Sequence, residues 1–139
     1  MIETVIVSFD NKNAAKIVQI RTLVFVEEQN IDYDIDFDGR DESAIHVLAY
    51  FQKKPVGTAR ILKDGHIGRV AVLPEYRHKG IGYATMQALL TEAELRGLNR
   101  VYLSSQVHAS AFYKRMGFQS CSEVFMEAGI EHIEMEFSF

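Results

Sequence analysis

Cysteine is nearly absent from this 139-residue chain. Cys121 stands alone, so no intramolecular disulfide can form and a zinc site built on several thiolates is excluded. Its neighbours Ser120, Ser122 and Glu123 offer no activating cation, which leaves an ordinary strand thiol. No apolar run reaches bilayer-spanning length, and Met1-Ile2-Glu3-Thr4-Val5 lacks a basic region followed by a long apolar stretch. A cytoplasmic protein with no membrane partner is therefore expected. Basic charge is in deficit, 15 Lys and Arg against 19 Asp and Glu, which argues against a nucleic-acid partner. Repeats, low-complexity tracts and linkers are missing too, and residues 1–139 read as one domain large enough to bury its own core.

What the chain does contain is an ordinary globular composition, 47% hydrophobic and 24% charged. Thr4–Phe9 reads as a first strand. Asp10, Asn11 or Asn13 can cap a helix in which Ala14, Ile17, Ile20 or Arg21, and Val24 recur at helical spacing to about Gln29. Asn30–Ser43 reads as a loop. Ala44–Phe51, apolar on both faces, predicts a central strand, followed across turns at Gln52–Pro55 and Lys63–Gly65 by Val56–Leu62 and His66–Leu73 in an antiparallel meander. A helix from about Gly80 to Arg96 ends at Gly97, and the next strand, Arg100–Ser105, should lie parallel to the fourth. A short helix Ala109–Met116 and two final strands, Phe118–Met126 and Ile130–Phe139, complete an α+β domain.

Charge is unevenly spread. Between Glu27 and Glu42 there are eight acids and one base, Arg40, and Glu123–Glu136 is acidic with no Lys or Arg. Asp34-Ile35-Asp36-Phe37-Asp38-Gly39 copies the opening of a calcium-binding loop, but the twelfth position is Ile45 where a bidentate Glu is required, and a strand follows instead of a helix. No metal is expected, and the segment reads as a solvated acidic loop able to attract a cationic amine.

Basic residues concentrate instead at Pro74-Glu75-Tyr76-Arg77-His78-Lys79-Gly80-Ile81-Gly82, between the apolar strand Val70-Ala71-Val72-Leu73 and a helix. Amides at a helix start have no intrahelical partner and attract anions. Glycines at 80 and 82 let successive amides approach two phosphates. A Walker loop would need Gly-Lys-Ser/Thr, and a Rossmann turn a third glycine; both are lacking.

Arg77-His78-Lys79-Gly80-Ile81-Gly82 resembles the Arg/Gln-x-x-Gly-x-Gly/Ala loop of the GNAT superfamily of N-acetyltransferases. Phe112-Tyr113 to Gly117-Phe118 resembles the Phe-Tyr-x-x-x-Gly-Phe segment of the same superfamily. Val24-Phe25-Val26-Glu27-Glu28-Gln29 and Ala128-Gly129-Ile130-Glu131-His132 look like its ElaA-type branch. The resemblance implies a three-layer fold, a mixed sheet of six or seven strands splayed at its centre with helices on both faces. It also implies acetyl-CoA as co-substrate, held by Val70, Ala71, Val72, Arg77, His78, Lys79, Gly80, Ile81, Gly82, Tyr83, His108 and Phe112.

On that resemblance the acetyl group passes directly to a primary amine of a small molecule or peptide. Tyr113 would protonate the departing thiolate, a backbone N–H near Val72 would meet the oxyanion, and Glu28 would act as base, with His46, His108, His132 or water-relayed deprotonation as alternatives. A coenzyme A-binding sensor or docking module without turnover, and a binder of some other phospho-ligand, remain as rivals. Exposed strand edges near the C-terminus leave room for a homodimer.

Overall fold

The computed structural model describes Met1–Phe139. Strands β1 (Ile2–Val7), β2 (Ile45–Phe51), β3 (Lys54–Ile61) and β4 (His66–Val72) form an antiparallel run. β5 (Arg100–Gln106) lies parallel to β4 and antiparallel to β8 (Ile130–Ser138), which also carries β6 (Gln119–Ser120) and β7 (Phe125–Glu127). The sheet order is β1-β2-β3-β4-β5-β8-β6, with β7 also on β8. The α+β class and the splayed mixed sheet match the expectation. The strand number is eight because the segment expected as one strand, Phe118–Met126, breaks at Cys121–Val124 into β6 and β7.

Both faces of β2 are apolar because both are covered. On one, helix α1 (Asn11–Arg21) sets Ile17 and Ile20, with Val24 just beyond, among Leu48, Val56 and Ala71. On the other, α3 (Ile81–Leu95) packs Met86, Leu89, Leu90 and Ala93 with Val47, Ala59, Ile61 and Ile67, joined by Tyr113 of α4 (Ser110–Arg115) and by Phe118. Asp10 caps α1 by accepting the Asn13 N–H at 3.1 Å. The helix then widens into a π-helical stretch, Thr22–Glu28, a form that clusters at functional sites. Within the expected loop, Tyr33–Asp36 closes one further turn, α2. No helix is long and apolar enough to cross a membrane.

The centre of the sheet is where pairing fails. β4 meets β5 only at His66–Tyr102 and Ile67–Leu103. On its other side the β3–β4 register steps from Thr58–Ala71 to Arg60–Gly68, so Arg69 and Val70 together oppose Ala59. Such a bulge bends the strand away from its neighbour, and Arg69 takes the strain with φ of 55°.

Candidate active site

The gap between β4 and β5 opens into a cleft of about 1040 Å³, walled also by the π-helical stretch, the α2 segment, α4 and the β7–β8 hairpin. The Leu73 N–H donates to the Val56 carbonyl at 2.9 Å. Strand alternation therefore turns Ala71 towards β3 and the amide groups of Val70 and Val72 into the gap. β4 thus presents an open backbone edge inside the molecule.

At the end of that edge lies the glycine cradle. Gly80, with φ of 84°, occupies the N-cap of α3, and no side chain caps the helix. The first bond of the helix runs from the Ala84 N–H to the Gly80 carbonyl at 3.0 Å, leaving the amides of Ile81, Gly82 and Tyr83 without intrahelical acceptors. A Cβ on Gly82 would stand 3.6 Å from Phe112 Cζ and 3.8 Å from Val72 Cγ2, so this glycine borders a lane between α4 and β4. Uncapped donors at a helix start beside an open strand edge suit a pyrophosphate with an extended amide arm.

Of the residues expected from the sequence, Val70, Ala71, Val72, Arg77, His78, Gly82, His108, Phe112, Tyr113 and Glu28 line this one cleft. Four do not. Lys79 reaches the other way, its Nζ 5.7 Å from the Phe51 ring centre. Ile81 is buried in the core, and Tyr83 is exposed on α3, its hydroxyl accepting from Gln87 Nε2 at 3.1 Å. Gly80 supplies the left-handed turn. Only the backbone of these four can serve the cradle.

Glu28, expected as the base, is engaged by Arg77. Arg77 Nη1 and Nη2 each donate to its carboxylate at 2.7 Å. Those hydrogen bonds hold the Glu28 carboxyl below the usual range, which makes it a poor proton acceptor. Arg77 also donates through Nε to the Val72 carbonyl at 3.0 Å, so it spans the cleft instead of standing free for phosphate.

His46 is fully buried, with Nε2 2.9 Å from the Asp41 carbonyl, and lies outside the cleft. His108 donates to Gln106 Oε1 at 2.7 Å, and Gln106 Nε2 in turn donates to Gln29 Oε1 at 2.8 Å. His132 is the better-placed imidazole. Its Nδ1 lies 2.7 Å from the Ile130 carbonyl, and because a carbonyl only accepts, that nitrogen carries the proton. Its Nε2 lies 3.8 Å from Glu127 Oε2, and both residues line the cleft. Tyr113 is 7% exposed, between Phe112 and Phe118, and burial pushes its phenol well above the ordinary value.

The acidic loop is solvated over most of its length but pinned to the body at Asp36, Asp38 and Asp41. Buried Arg21 donates to Asp36 Oδ2 at 3.1 Å and to Asp41 Oδ1 at 2.6 Å. Arg60 donates to Asp38 at 2.8 and 2.9 Å and to Asp41 at 3.0 Å, and Arg69 reaches Asp38 at 3.2 Å and the Asp36 carbonyl at 2.9 Å. Of the three aspartates that copy a calcium loop, Asp36 and Asp38 thus bind arginines, while Asp34 is exposed. The signal for this network was present: Arg21 falls on the apolar stripe of its helix and Arg60 within an apolar strand.

Residues 15–139 match the family model described as an acetyltransferase (GNAT) domain. ElaA of Escherichia coli (strain K12) is 37% identical over 127 residues, spanning 86% of this chain and 83% of that protein. YjcF, an uncharacterized N-acetyltransferase of Bacillus subtilis, is 37% identical over 120 residues, 84% of this chain and 86% of its own. The crystal structure of E. coli ElaA superposes with a TM-score of 0.88 at 33% identity, over 99% of this chain and 100% of that one. An acyl-CoA N-acyltransferase from Pseudomonas aeruginosa superposes at 0.87 and 32% identity, over 99% and 100%.

Proposed function

The chain belongs to the GNAT acetyltransferase family, and on that premise we propose that it moves an acetyl group from acetyl-CoA to a primary amine bound in the same cleft. The observation that carries the proposal is the open β4 edge, which leads from the uncapped start of α3 to the Tyr113 hydroxyl. The amides of Ile81, Gly82 and Tyr83 hold the pyrophosphate, while the Val72 N–H, next along the edge, pairs with the pantetheine arm. A thioester so placed lies between β4 and β5.

The chain's own groups then supply what acyl transfer requires. His132 Nε2 takes a proton from the amine, directly or through water. The Val70 N–H donates to the thioester oxygen as negative charge builds there, an interaction stronger in the transition state than before it. Tyr113, neutral at any physiological pH because burial opposes its ionisation, donates its proton to the departing thiolate. Holding both reactants in one cleft can contribute about 7–11 kcal/mol of the barrier reduction, so a modest base suffices.

Calorimetric titration with acetyl-CoA tests the donor site. The unaltered protein should bind one equivalent. Gly82→Trp, which drives an indole into the lane beside Phe112 and Val72, should bind none while melting cooperatively. Failure of the unaltered protein to bind sinks the proposal. Binding with no thiol released across a broad amine panel would identify a coenzyme A-binding module instead.

A further inference from the structure

The acceptor is the part of the reaction that the donor site leaves open, and the charges facing it are not those expected from the sequence. Of the eight acids between Glu27 and Glu42, Glu28, Asp36, Asp38 and Asp41 are held by arginines. Arg21, Arg60 and Arg69 meet Asp36, Asp38 and Asp41 one for one. Arg40, also on the cleft wall, adds a fourth guanidinium that no carboxylate engages. Among the residues of this wall that line the cleft, Arg40, Arg60 and Arg69 stand beside Asp36 and Asp38.

We propose that Arg69 and Arg40 form a carboxylate subsite on the acceptor side of the cleft, so that the amine acylated is that of an amino acid and not of a polyamine. The inference rests on the acyltransferase reading. Arg69 uses Nε on the Asp36 carbonyl at 2.9 Å, and Nη2 on the Ile35 carbonyl at 3.1 Å and Asp38 Oδ2 at 3.2 Å. Its Nη1 has no partner. The side chain is 25% exposed and lines the cleft.

Arg69 also pairs through Nε with Asp36 Oδ1 at 3.3 Å. Burial first, and then Arg60 and Arg21, push its guanidinium below the ordinary value, against the opposing pull of Asp36 and Asp38. A carboxylate at the free Nη1 favours the charged form against that burial, and charge-assisted bonds to guanidinium are the strong kind. The backbone gives a second, independent indication. Arg69 holds φ of 55° at the bulge, a strained state for a long side chain that persists where function requires it. Beside it, a Cβ on Gly68 would meet nothing within 4 Å, which leaves room for a ligand against the strand. Across the cleft stand Glu127 and His132. An amine that also bears a carboxylate matches both walls, with its nitrogen towards His132 and its carboxylate towards Arg69.

The test uses matched pairs of acceptors with the full-length protein and acetyl-CoA, read by thiol release. Each of the twenty free amino acids is paired with its decarboxylated amine, and spermidine is included. As a readout without turnover, saturation-transfer NMR compares binding of N-acetylphenylalanine with that of N-acetylphenethylamine in the presence of coenzyme A. The carboxylate partner should be preferred in both assays. Arg40→Gln and Arg69→Lys should each raise the KM of the preferred amino acid by about tenfold or more, with the calorimetric affinity for acetyl-CoA unchanged. The proposal is overturned if spermidine or the decarboxylated amines are preferred, if the paired probes bind equally, or if the two variants leave KM unmoved. A preference for an aminophosphonate over its carboxylate counterpart overturns it in favour of a different anion. Loss of acetyl-CoA binding would instead strike the donor reading, which calorimetry without acceptor separates from these outcomes.

Discussion

Asp41→Asn examines the network that holds the acidic segment against the sheet. Asp41 is 5% exposed and accepts from Arg21 Nη1 at 2.6 Å and from Arg60 Nη1 at 3.0 Å. Those arginines are 0% and 4% exposed. Asparagine preserves the shape but removes the charge between two buried cations, and breaking a buried ion pair from one side costs about 3–5 kcal/mol. Because Asp36 still engages Arg21 and Asp38 still engages Arg60, the low end applies, about 3 kcal/mol. That is a large share of the 5 to 15 kcal/mol typical of a whole domain's stability, roughly speaking. In urea, with a slope of about 2 kcal/mol/M, the midpoint at pH 7 should fall by about 1.5 M.

The pH dependence of the difference is a second check. Burial raises the Asp41 carboxyl, but hydrogen bonds and charge from Arg21, then Arg60, overcome it, and the group ends below its ordinary value. A depressed folded-state pKa contributes stability that is fully present above the unfolded value near ~4 and is lost as pH falls through the folded value. The gap between the two proteins should therefore be widest at neutral pH and close in acid. A midpoint shift below about 0.3 M with unchanged slope, or a gap of the same size at pH 7 and pH 3, would refute the reasoning.

Tyr113→Phe should leave the calorimetric affinity for acetyl-CoA intact and lower kcat by about a hundredfold or more; full turnover would remove the acid role. Because burial keeps the Tyr113 phenol neutral, the rate should not decline through its ionisation up to pH 10 in a buffered alkaline series. Gly65→Ala should cost about 2 kcal/mol or more by urea titration, since Gly65 has φ of 96° and a Cβ there would stand 2.8 Å from the Arg100 carbonyl oxygen; an unchanged midpoint would show that the β4–β5 junction yields easily. Burial lowers the pKa of His46, whose Nδ1 has no partner. Its folded-state value thus lies below the unfolded one, and the stability it contributes is present above about pH 6.5 and lost on acidification. The midpoint of the unaltered protein should fall from pH 7 to pH 5, and His46→Phe, whatever its absolute stability, should flatten that slope.

The meander, α3 and the parallel step to β5 were legible because each rests on local signals: alternating or continuous apolar runs, turn residues, and Gly97 after a helix. The cradle was legible for the same reason, being contiguous. What escaped lies between segments distant in sequence. Arg77 and Glu28 each carried a plausible separate role, and only folding sets one against the other. Asp36, Asp38 and Asp41 looked solvated because their arginine partners sit 15 to 33 residues away along the chain, one on a helix and two on strands. The break between β6 and β7 was hidden by apolar and polar residues that continue a strand pattern through Val124, which is exposed.

A sheet joined at its centre by two residue pairs has four edges in place of two. Outer edges invite any neighbouring chain to add a strand, which is how sheets aggregate. The inner pair is different, because the π-helical stretch, α2, α4 and the β7–β8 hairpin wall the cleft in front of it. A chain that adds to these amides must enter that cleft, so the hazard of an exposed edge becomes a matter of what shape fits inside the molecule.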